Sequence, residues 1–386
     1  MLTTRAFGAP FRYIQGPGEI KNLPAHCASY GRKILALIDP FLFDRYSSVL
    51  HSAFQNSDQL LTTVKFNGEC CQEEVERLMK LTMEQRIDVV CGLGGGKTLD
   101  TAKLTACDLK KPVVVVPSSA STDAPASAMG VLYHPDGRHL RCQFLDHAPE
   151  LVLVDSQIIA QAPLRLFAAG IGDALSTWFE AEANRASGSL NYVGSGFRAS
   201  LAARAIARRC HEALLEDAPK AVDDLAAGRL TEAVENVIEA NILLSGLGFE
   251  NNGCAAAHAL HTGIHELPGS ERLYHGEVVA FGVVFQLVLE KAEPKFFDEI
   301  LSFMISLGLP VCFDDLGLSL DDSALEAMSR RIMDGASGIE AEPFAVTEEM
   351  VRKGLAEADA VGYKRRRLFD GKTRPAFCRE KAGCSD

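Results

Sequence analysis

The pattern of hydrophobic and polar positions changes once along this chain. Up to about residue 160, short apolar runs alternate with amphipathic stretches, and after about residue 165 the strand-like runs stop. Several of the early runs are apolar throughout, which is typical of parallel strands covered by helices on both faces. Five runs predict strands: KILALI (33–38), LTTVKF (61–66), IDVVCGL (87–93), PVVVV (112–116) and LVLVD (151–155).

The segments between these runs predict two helices and a hairpin. In residues 71–85, Val75, Leu78, Met79 and Thr82 recur at helical spacing, and residues 97–110 predict a second helix. Residues 131–144 form two strand-like arms around a Pro-Asp-Gly turn, which predicts a β-hairpin. The alternation of strands and helices predicts an open α/β sheet.

The second half of the chain predicts helices alone. Residues 195–217 and 229–247 are rich in Ala and Leu, and residues 275–292 are nearly all apolar, as in a buried helix. We therefore expect a Rossmann-like parallel-sheet domain over residues 1–164 and an all-helical domain over residues 165–386. The last stretch, residues 369–386, is polar, and we expect it to fray.

Composition narrows the classes of function. The 386 residues carry a net charge of −12, which argues against a nucleic-acid partner. No apolar run reaches the roughly 18 residues of a membrane span, and the N-terminus lacks a signal-peptide core. Eleven scattered cysteines indicate reduced thiols and a cytoplasmic protein. Two cysteine pairs, Cys70/Cys71 and Cys378/Cys384, lack the spacing of metal ligands.

A glycine-rich loop follows the third predicted strand. Gly94, Gly95 and Gly96 stand between that strand and a helix, where backbone N–H groups can face a phosphate. Glycines let a pyrophosphate approach the main chain closely. The motif is neither of the two common phosphate-loop patterns, so a tight turn without a ligand is the alternative interpretation.

Two further strand ends carry polar residues. Asp39 ends the first predicted strand, where a carboxylate can accept hydrogen bonds from an adenosine ribose and repel a 2′-phosphate. The segment PSSASTDAPAS (117–127), with Asp123 at its middle, follows the fourth strand. For Asp39, the alternative interpretation is a solvated aspartate in a turn. For the segment 117–127, the alternative is a helix start capped by its Ser, Thr and Asp side chains.

Four histidines lie within residues 258–275. His258, His261 and His265 are spaced to share one face of a helix, and His275 follows a break. Asp173 stands near the predicted start of another helix, after two glycines. Asp173, one histidine of the helix and His275 would form a two-histidine, one-carboxylate site for zinc or iron, with open positions for substrate. For each helix histidine taken alone, a solvated side chain is the alternative.

These segments together resemble a known family. GGGKTLDTAK, STDAPASA, GIGDALSTWFEAEA, AAAHALHTG and HGEVVAFG are similar to signature blocks of the glycerol dehydrogenases, within the iron-containing (group III) alcohol dehydrogenase superfamily. The resemblance extends from residue 16 to at least residue 290. Two departures stand out: Ser118 replaces an expected threonine, and the stretch containing Asn251 and Asn252 replaces a Glu-Ser-Gly-Gly segment. We expect these asparagines to reshape the mouth of the substrate pocket.

The resemblance implies a role for each candidate residue. The implied metal is zinc or iron, and the implied substrate contact is Asp123. By the same resemblance, His261 lies beside the metal without binding it, and His265 has no role in the site. The implied metal ligands are Asp173, His258 and His275, which with Asp123 make up the implied catalytic residues. The implied NAD contacts are Asp39, Gly94, Gly95, Gly96, Lys97, Asp100, Ser118, Ser121, Ser127, Met129 and Tyr133.

The implied activity is NAD-dependent oxidation of glycerol to dihydroxyacetone, or of a related vicinal diol, in a homo-oligomer that the resemblance suggests is an octamer. A lyase of the dehydroquinate synthase type would share the fold, NAD and zinc, but it needs a cluster of Lys and Arg for a substrate phosphate. The histidine-bearing segments show no such cluster. A catalytically inactive scaffold is the other alternative, and the intact set of Asp173, His258 and His275 argues against it.

Overall fold

The structure, a computed structural model, describes residues 3–334 and 338–369. It divides into two compact units, one made of Gly8–Ala162 and the other of Met1–Phe7 with Pro163–Asp386. The division falls two residues before the expected boundary at 164/165. The first residues of the chain belong to the second unit, where Arg5 forms a parallel bridge with Arg198.

The first unit is built on a six-stranded parallel sheet in the order β1-β8-β5-β4-β2-β3. Its strands and those of a separate hairpin are β1 (Arg12–Gly16), β2 (Lys33–Ile38), β3 (Leu60–Lys65), β4 (Val89–Gly94), β5 (Val113–Pro117), β6 (Met129–Tyr133), β7 (His139–Phe144) and β8 (Leu151–Asp155). Its helices are α1 (Leu23–Cys27), α2 (Phe43–Phe54), α3 (Gln72–Glu84), α4 (Gly96–Leu109) and α5 (Ser156–Ile159).

Burial explains why the strand predictions succeeded in the centre of the sheet and failed at one edge. Strands β4, β5 and β8 are buried along their whole length, so continuous apolar runs encode them. Strand β1 is an edge strand with partly exposed positions and no such run, and the hydrophobic pattern missed it. The predicted hairpin is confirmed as the antiparallel pair β6–β7.

The strand order places the predicted loops at one edge of the sheet. Strand β2 lies between β3 and β4, so the connections leaving β2 and β4 run in opposite directions. Such a switch point opens a crevice at the carboxyl ends of the strands, where ligands bind in open α/β sheets. Asp39 follows β2 and Gly95 follows β4, so both stand at this crevice.

The second unit is helical, as predicted. Its helices are α6 (Leu164–Ser187), α7 (Leu201–Ala226), α8 (Glu232–Glu239), α9 (Ser245–Asn252), α10 (Ala256–Ile264), α11 (His275–Leu289), α12 (Pro294–Ser306), α13 (Phe313–Leu316), α14 (Asp322–Met333) and α15 (Glu348–Phe369). One π-helical turn, Ala240–Leu244, joins α8 to α9. Helix α11 is buried along nearly all of its length, which confirms the interpretation of its apolar sequence.

Two predictions about this unit need correction. Asp173 does not stand near a helix start, because α6 begins at Leu164 and Asp173 lies in its third turn; the two glycines before it do not interrupt the helix. Asn251 and Asn252 are buried in α9 rather than at a pocket mouth. The Asn252 amide donates to the carbonyl oxygens of Ala203 and Gly248, at 3.1 and 2.7 Å, and thereby ties α9 to α7.

Within the described residues, no helix is both long and apolar enough to cross a bilayer, and no disulfide joins two cysteines. The cysteine pair Cys378/Cys384 and nearly all of the stretch expected to fray lie outside the described residues, so these two expectations stay predictions.

Candidate functional site

Three helices of the second unit bring one carboxylate and two imidazoles together. Asp173 comes from α6, His258 from α10 and His275 from the first position of α11. Asp173 Oδ1 lies 3.5 Å from His258 Nε2 and 3.2 Å from His275 Nε2. The carboxylate is buried, whereas the two imidazoles are partly exposed. The cluster is thus anchored in the interior and open on one side.

The donor set fits a divalent transition metal. Three ligand atoms, one from each residue, lie within 4.8 Å of one another. Ligands at about 2.0–2.1 Å from a tetrahedral zinc ion are separated by about 3.4 Å, which matches the two distances to Asp173. Two imidazoles with one carboxylate suit zinc or iron and leave coordination positions for substrate.

The two other clustered histidines stand beside this set. The His261 ring lies 4.5 Å from the His275 ring and 4.5 Å from the His265 ring. Burial and the neighbouring imidazoles lower the pKa of His261 well below its ordinary value, so it is neutral at physiological pH. Neither His261 nor His265 belongs to a group of ligand atoms that converge among the described residues.

Opposing influences set the charge of the cluster. Burial raises the pKa of Asp173, but the imidazoles of His275 and His258 outweigh it, so the net pKa lies well below the ordinary value. Asp173 is therefore a carboxylate. Its negative charge, placed between the two histidine rings, attracts a cation to the three ligand atoms.

The start of α10 is held by side chains from other elements. Ala255 precedes the helix and supplies no cap of its own. The N–H groups of Ala255 and His258 donate to Glu180 Oε1, at 2.8 and 2.9 Å. The next two N–H groups, of residues 256 and 257, donate to Glu342 Oε1 and Gln286 Oε1, at 3.1 and 3.2 Å. Tertiary contacts therefore fix the turn that carries His258.

The start of α11 is held by an ion pair. The Glu277 carboxylate accepts a hydrogen bond from the Tyr274 N–H at 3.0 Å, at the first turn of the helix. The guanidinium of Arg165 binds both oxygens of Glu277, each at 2.7 Å. This bidentate pair ties α11 to α6 beside His275.

Sequence reasoning missed these supporting residues, although one of them had a signal. Glu180 follows Asp173 by seven residues, so the two share a face of α6. Gln286 and Glu342 have no such signal, because they approach α10 from distant segments of the chain.

The predicted phosphate loop lies at the carboxyl edge of the sheet in the first unit. The Ser118 N–H donates to the Gly94 carbonyl oxygen at 2.9 Å, and the Asp39 N–H donates to the Leu93 carbonyl oxygen at 2.9 Å. The ends of β2, β4 and β5 are thus adjacent. A Cβ atom on Gly95 or Gly96 would meet nothing within 4 Å. The main chain beside these two glycines is therefore unobstructed, which the close approach of a phosphate requires.

Lys97 and Tyr133 lie beside this loop. The Lys97 ammonium pairs with Glu69 Oε2 at 2.6 Å and stands 4.8 Å from the centre of the Tyr133 ring. Burial raises the pKa of the Tyr133 hydroxyl, which is protonated. The loop thus carries a cation whose position is fixed by two neighbours.

Asp100, also an expected cofactor contact, is engaged in contacts within the first unit. Its buried carboxylate pairs with the fully buried Lys103 at 3.0 Å and accepts a hydrogen bond from the Val131 N–H at 3.0 Å. These contacts join α4 to β6. Asp100 therefore supports the fold behind the loop, a role that only the tertiary structure shows.

The serine-rich segment folds partly inward. The Ser119 and Ser121 hydroxyls lie 3.0 Å apart, and the buried Ser127 hydroxyl donates to the Ala124 carbonyl oxygen at 3.0 Å. Asp123 is buried and starts the short 3₁₀ turn Ala124–Ala126. Met129 begins strand β6, which follows directly.

Comparisons with known proteins agree with this architecture. The profile of the iron-containing alcohol dehydrogenase family matches residues 10–156. The glycerol dehydrogenase of Thermotoga maritima is 44% identical over 95% of this chain and 100% of its own length. The glycolaldehyde reductase of Halobacterium salinarum is 38% identical over 93% of this chain and 98% of its own. The crystal structure of glycerol dehydrogenase from Schizosaccharomyces pombe superposes with a TM-score of 0.91 at 33% identity, covering 97% of this chain and 94% of that one.

Proposed function

We propose that this chain, which belongs to the iron-containing alcohol dehydrogenase family and is an oxidoreductase, oxidises glycerol to dihydroxyacetone with NAD as the hydride acceptor and a divalent metal at Asp173, His258 and His275. The observation that carries the proposal is the convergence of these three side chains in a chain so similar to a glycerol dehydrogenase over almost its full length.

The residues of the second unit would hold the metal and leave room for substrate. Asp173 supplies the charge and the two histidines supply neutral nitrogen ligands. When bound, zinc or iron acts as a Lewis acid that polarises a substrate hydroxyl. The exposed side of the two imidazoles is where a pair of adjacent hydroxyls would approach.

The residues of the first unit would hold the cofactor. The unobstructed main chain at Gly95 and Gly96 presents N–H groups to a pyrophosphate, and Lys97 adds a positive charge. Asp39 would accept hydrogen bonds from the adenosine ribose and repel the 2′-phosphate of NADP. Asp123 would accept a hydrogen bond from a second substrate hydroxyl and orient the diol.

The reaction balances as glycerol and NAD⁺ giving dihydroxyacetone, NADH and a proton. A substrate with only one hydroxyl would forgo the hydrogen bond to the Asp123 carboxylate. A hydrogen bond to a charged group contributes roughly 1.5–3 kcal/mol, or about tenfold to a hundredfold in kcat/KM. Vicinal diols should therefore be preferred to monoalcohols.

The test is NADH formation over a panel of glycerol, propane-1,2-diol and propan-2-ol. We expect both diols to exceed propan-2-ol, and Asp123→Ala to shrink that difference. Asp136→Ala, at an exposed hairpin aspartate that pairs with Arg138, is the matched control and should behave as wild type. Removal of metal by a chelator should abolish activity, and zinc or iron should restore it. Full activity without metal, or propan-2-ol turnover as efficient as that of every diol tested, would refute the proposal.

Reduction of glycolaldehyde is the second candidate, because the Halobacterium salinarum protein is so similar over its length. Glycolaldehyde also carries oxygens on adjacent carbons, so the same donor set suits it. Comparing kcat/KM for NADH oxidation with dihydroxyacetone and with glycolaldehyde distinguishes the two. A clear excess for glycolaldehyde would favour this candidate.

A further inference from the structure

We propose that Glu180 is a positioning residue that fixes both the backbone and the ring tautomer of His258 for metal binding. The inference rests on the proposed function, since it assumes a metal at Asp173, His258 and His275. Glu180 is fully buried in α6, and its carboxylate accepts hydrogen bonds from the backbone N–H groups of Ala255 and His258 and contacts the His258 ring.

The ring contact decides which nitrogen of His258 is available. Glu180 Oε2 lies 2.7 Å from His258 Nδ1, whereas His258 Nε2 faces Asp173. An ionised carboxylate only accepts hydrogen bonds, so the proton of a neutral imidazole must sit on Nδ1. The Nε2 lone pair is then directed to the ligand cluster.

The backbone contacts hold the same residue from a second side. Glu180 Oε1 accepts the N–H groups of Ala255 and His258, at 2.8 and 2.9 Å. The Ser176 hydroxyl lies 3.3 Å from Oε2, but its single proton is directed to the Asp173 carbonyl oxygen at 2.8 Å. With the imidazole, three donors hold the carboxylate by both of its oxygens. The side chain therefore has one orientation, and so does the histidine bound to it.

Glu180 does not act as a metal ligand together with His258. Glu180, Cys254 and His258 also form a group with ligand atoms within 4.8 Å. However, two ligands of one zinc ion stand about 3.4 Å apart, and the Glu180–His258 contact is only 2.7 Å. That distance is a charge-assisted hydrogen bond.

Glu180→Gln isolates this role because the two residues have nearly the same shape. The glutamine oxygen would stay with the two backbone N–H groups, which cannot change, and its NH₂ group would face Nδ1. Two donors would then oppose each other unless the imidazole moved its proton to Nε2. That tautomer has no lone pair for the metal, so metal affinity should fall while the fold persists.

The experiment measures Zn²⁺ affinity by competition with a chromophoric chelator, and the absorption spectrum of the Co²⁺ form. We expect Glu180→Gln to weaken Zn²⁺ binding 10- to 100-fold, the range typical of partners that orient ligands. Glu180→Asp keeps the charge but shortens the reach, and should also weaken binding. Glu182→Gln, the same change at a partly exposed residue of α6, is the matched control and should bind as wild type.

Glu342→Gln tests whether a change in the capping of α10 would by itself weaken metal binding. Glu342 also caps α10, but its carboxyl group accepts the Ala256 N–H and not the His258 imidazole. Metal affinity should stay near wild type in this variant. A folded Glu180→Gln or Glu180→Asp protein with wild-type Zn²⁺ affinity would overturn the inference, as would a thiolate charge-transfer band that places Cys254 on cobalt. If the wild type itself binds no metal, the proposed function fails instead.

Discussion

A Cβ atom on Gly276 would lie 1.9 Å from the carbonyl oxygen of Ala169, so helices α6 and α11 approach too closely for any side chain at this point. The reciprocal contact is similar, since a Cβ atom on Gly172 would lie 2.4 Å from the Gly276 carbonyl oxygen. Asp173 and His275 are the immediate neighbours of these two glycines. The close approach of the backbones is therefore what brings the carboxylate within 3.2 Å of the imidazole.

We expect Gly276→Ala to damage stability and metal binding together. The added methyl group meets backbone atoms that cannot rotate away, so the helices must separate, at a cost of about 1–3 kcal/mol. The measurements are thermal unfolding without metal and Zn²⁺ affinity. Gly172→Ala should act in the same direction. A Gly276→Ala protein with the wild-type unfolding temperature and Zn²⁺ affinity would show that α6 and α11 can move apart without loss of stability.

The glycines of the phosphate loop should behave differently from one another. Gly95→Ala and Gly96→Ala add methyl groups to open space, so the free energy of unfolding should change by less than about 0.5 kcal/mol. The KM for NAD should nevertheless rise about tenfold, because the methyl occupies space needed by a phosphate. Gly94→Ala would meet Thr98 and Asp39 within 3 Å and should lower the unfolding temperature. Unchanged KM values in the first two variants would remove the loop from the cofactor site.

Asp39→Asn should reduce the preference for NAD over NADP. The carboxylate would stand a few ångströms from a 2′-phosphate, and at an effective dielectric of about 20 the repulsion is on the order of several kcal/mol before screening. The asparagine oxygen can still accept the Phe41 N–H, as Oδ1 does at 3.0 Å. We expect kcat/KM with NAD divided by kcat/KM with NADP to fall at least tenfold. Asp44→Asn, at an exposed acid of α2, should leave the ratio unchanged; equal use of both cofactors by the wild type would contradict the role of Asp39.

Glu342 should make the protein less stable as the pH rises. Burial and the neighbouring Glu290 raise its pKa to about 9, so the folded state keeps a proton that the unfolded chain releases above its ordinary value of 4.5. The unfolded state binds fewer protons between these values, so stability falls from about pH 4.5 towards pH 9.

Glu342→Gln should remove this loss, because glutamine is neutral at every pH and its oxygen can still accept the Ala256 N–H. We expect the unfolding temperature of the variant to exceed that of the wild type by several degrees at pH 8.5 and by little at pH 5. The measurement is a series of thermal scans of metal-free protein against pH. A difference that does not grow with pH would show that Glu342 is ionised in the folded state.

The fold was largely determined by local sequence. Strands β4, β5 and β8 are buried on both faces, and burial of that kind demands uninterrupted apolar residues that a reader of the sequence can recognise. Helix α3 was predicted from the spacing of Val75, Leu78 and Thr82, all of which are buried. Strand β1 was missed because an edge strand needs no continuous apolar run.

Within the candidate site, the sequence alone determined the residue types and their spacing, and the resemblance to a family named the set of Asp173, His258 and His275. The sequence could not show that Asp173 lies in the third turn of α6, because glycines within a buried helix look like a helix boundary. They are instead the contact surface at which α6 meets α11.

The tertiary structure alone decided what surrounds those ligands. Glu180, Gln286 and Glu342 approach the start of α10 from three separate segments and replace the cap that its own sequence lacks. A local pattern cannot encode a hydrogen bond between residues 78 positions apart, such as that between Glu180 and His258. The sequence therefore determines which ligand atoms the site contains. Their orientation depends on helix packing, which long-range contacts determine.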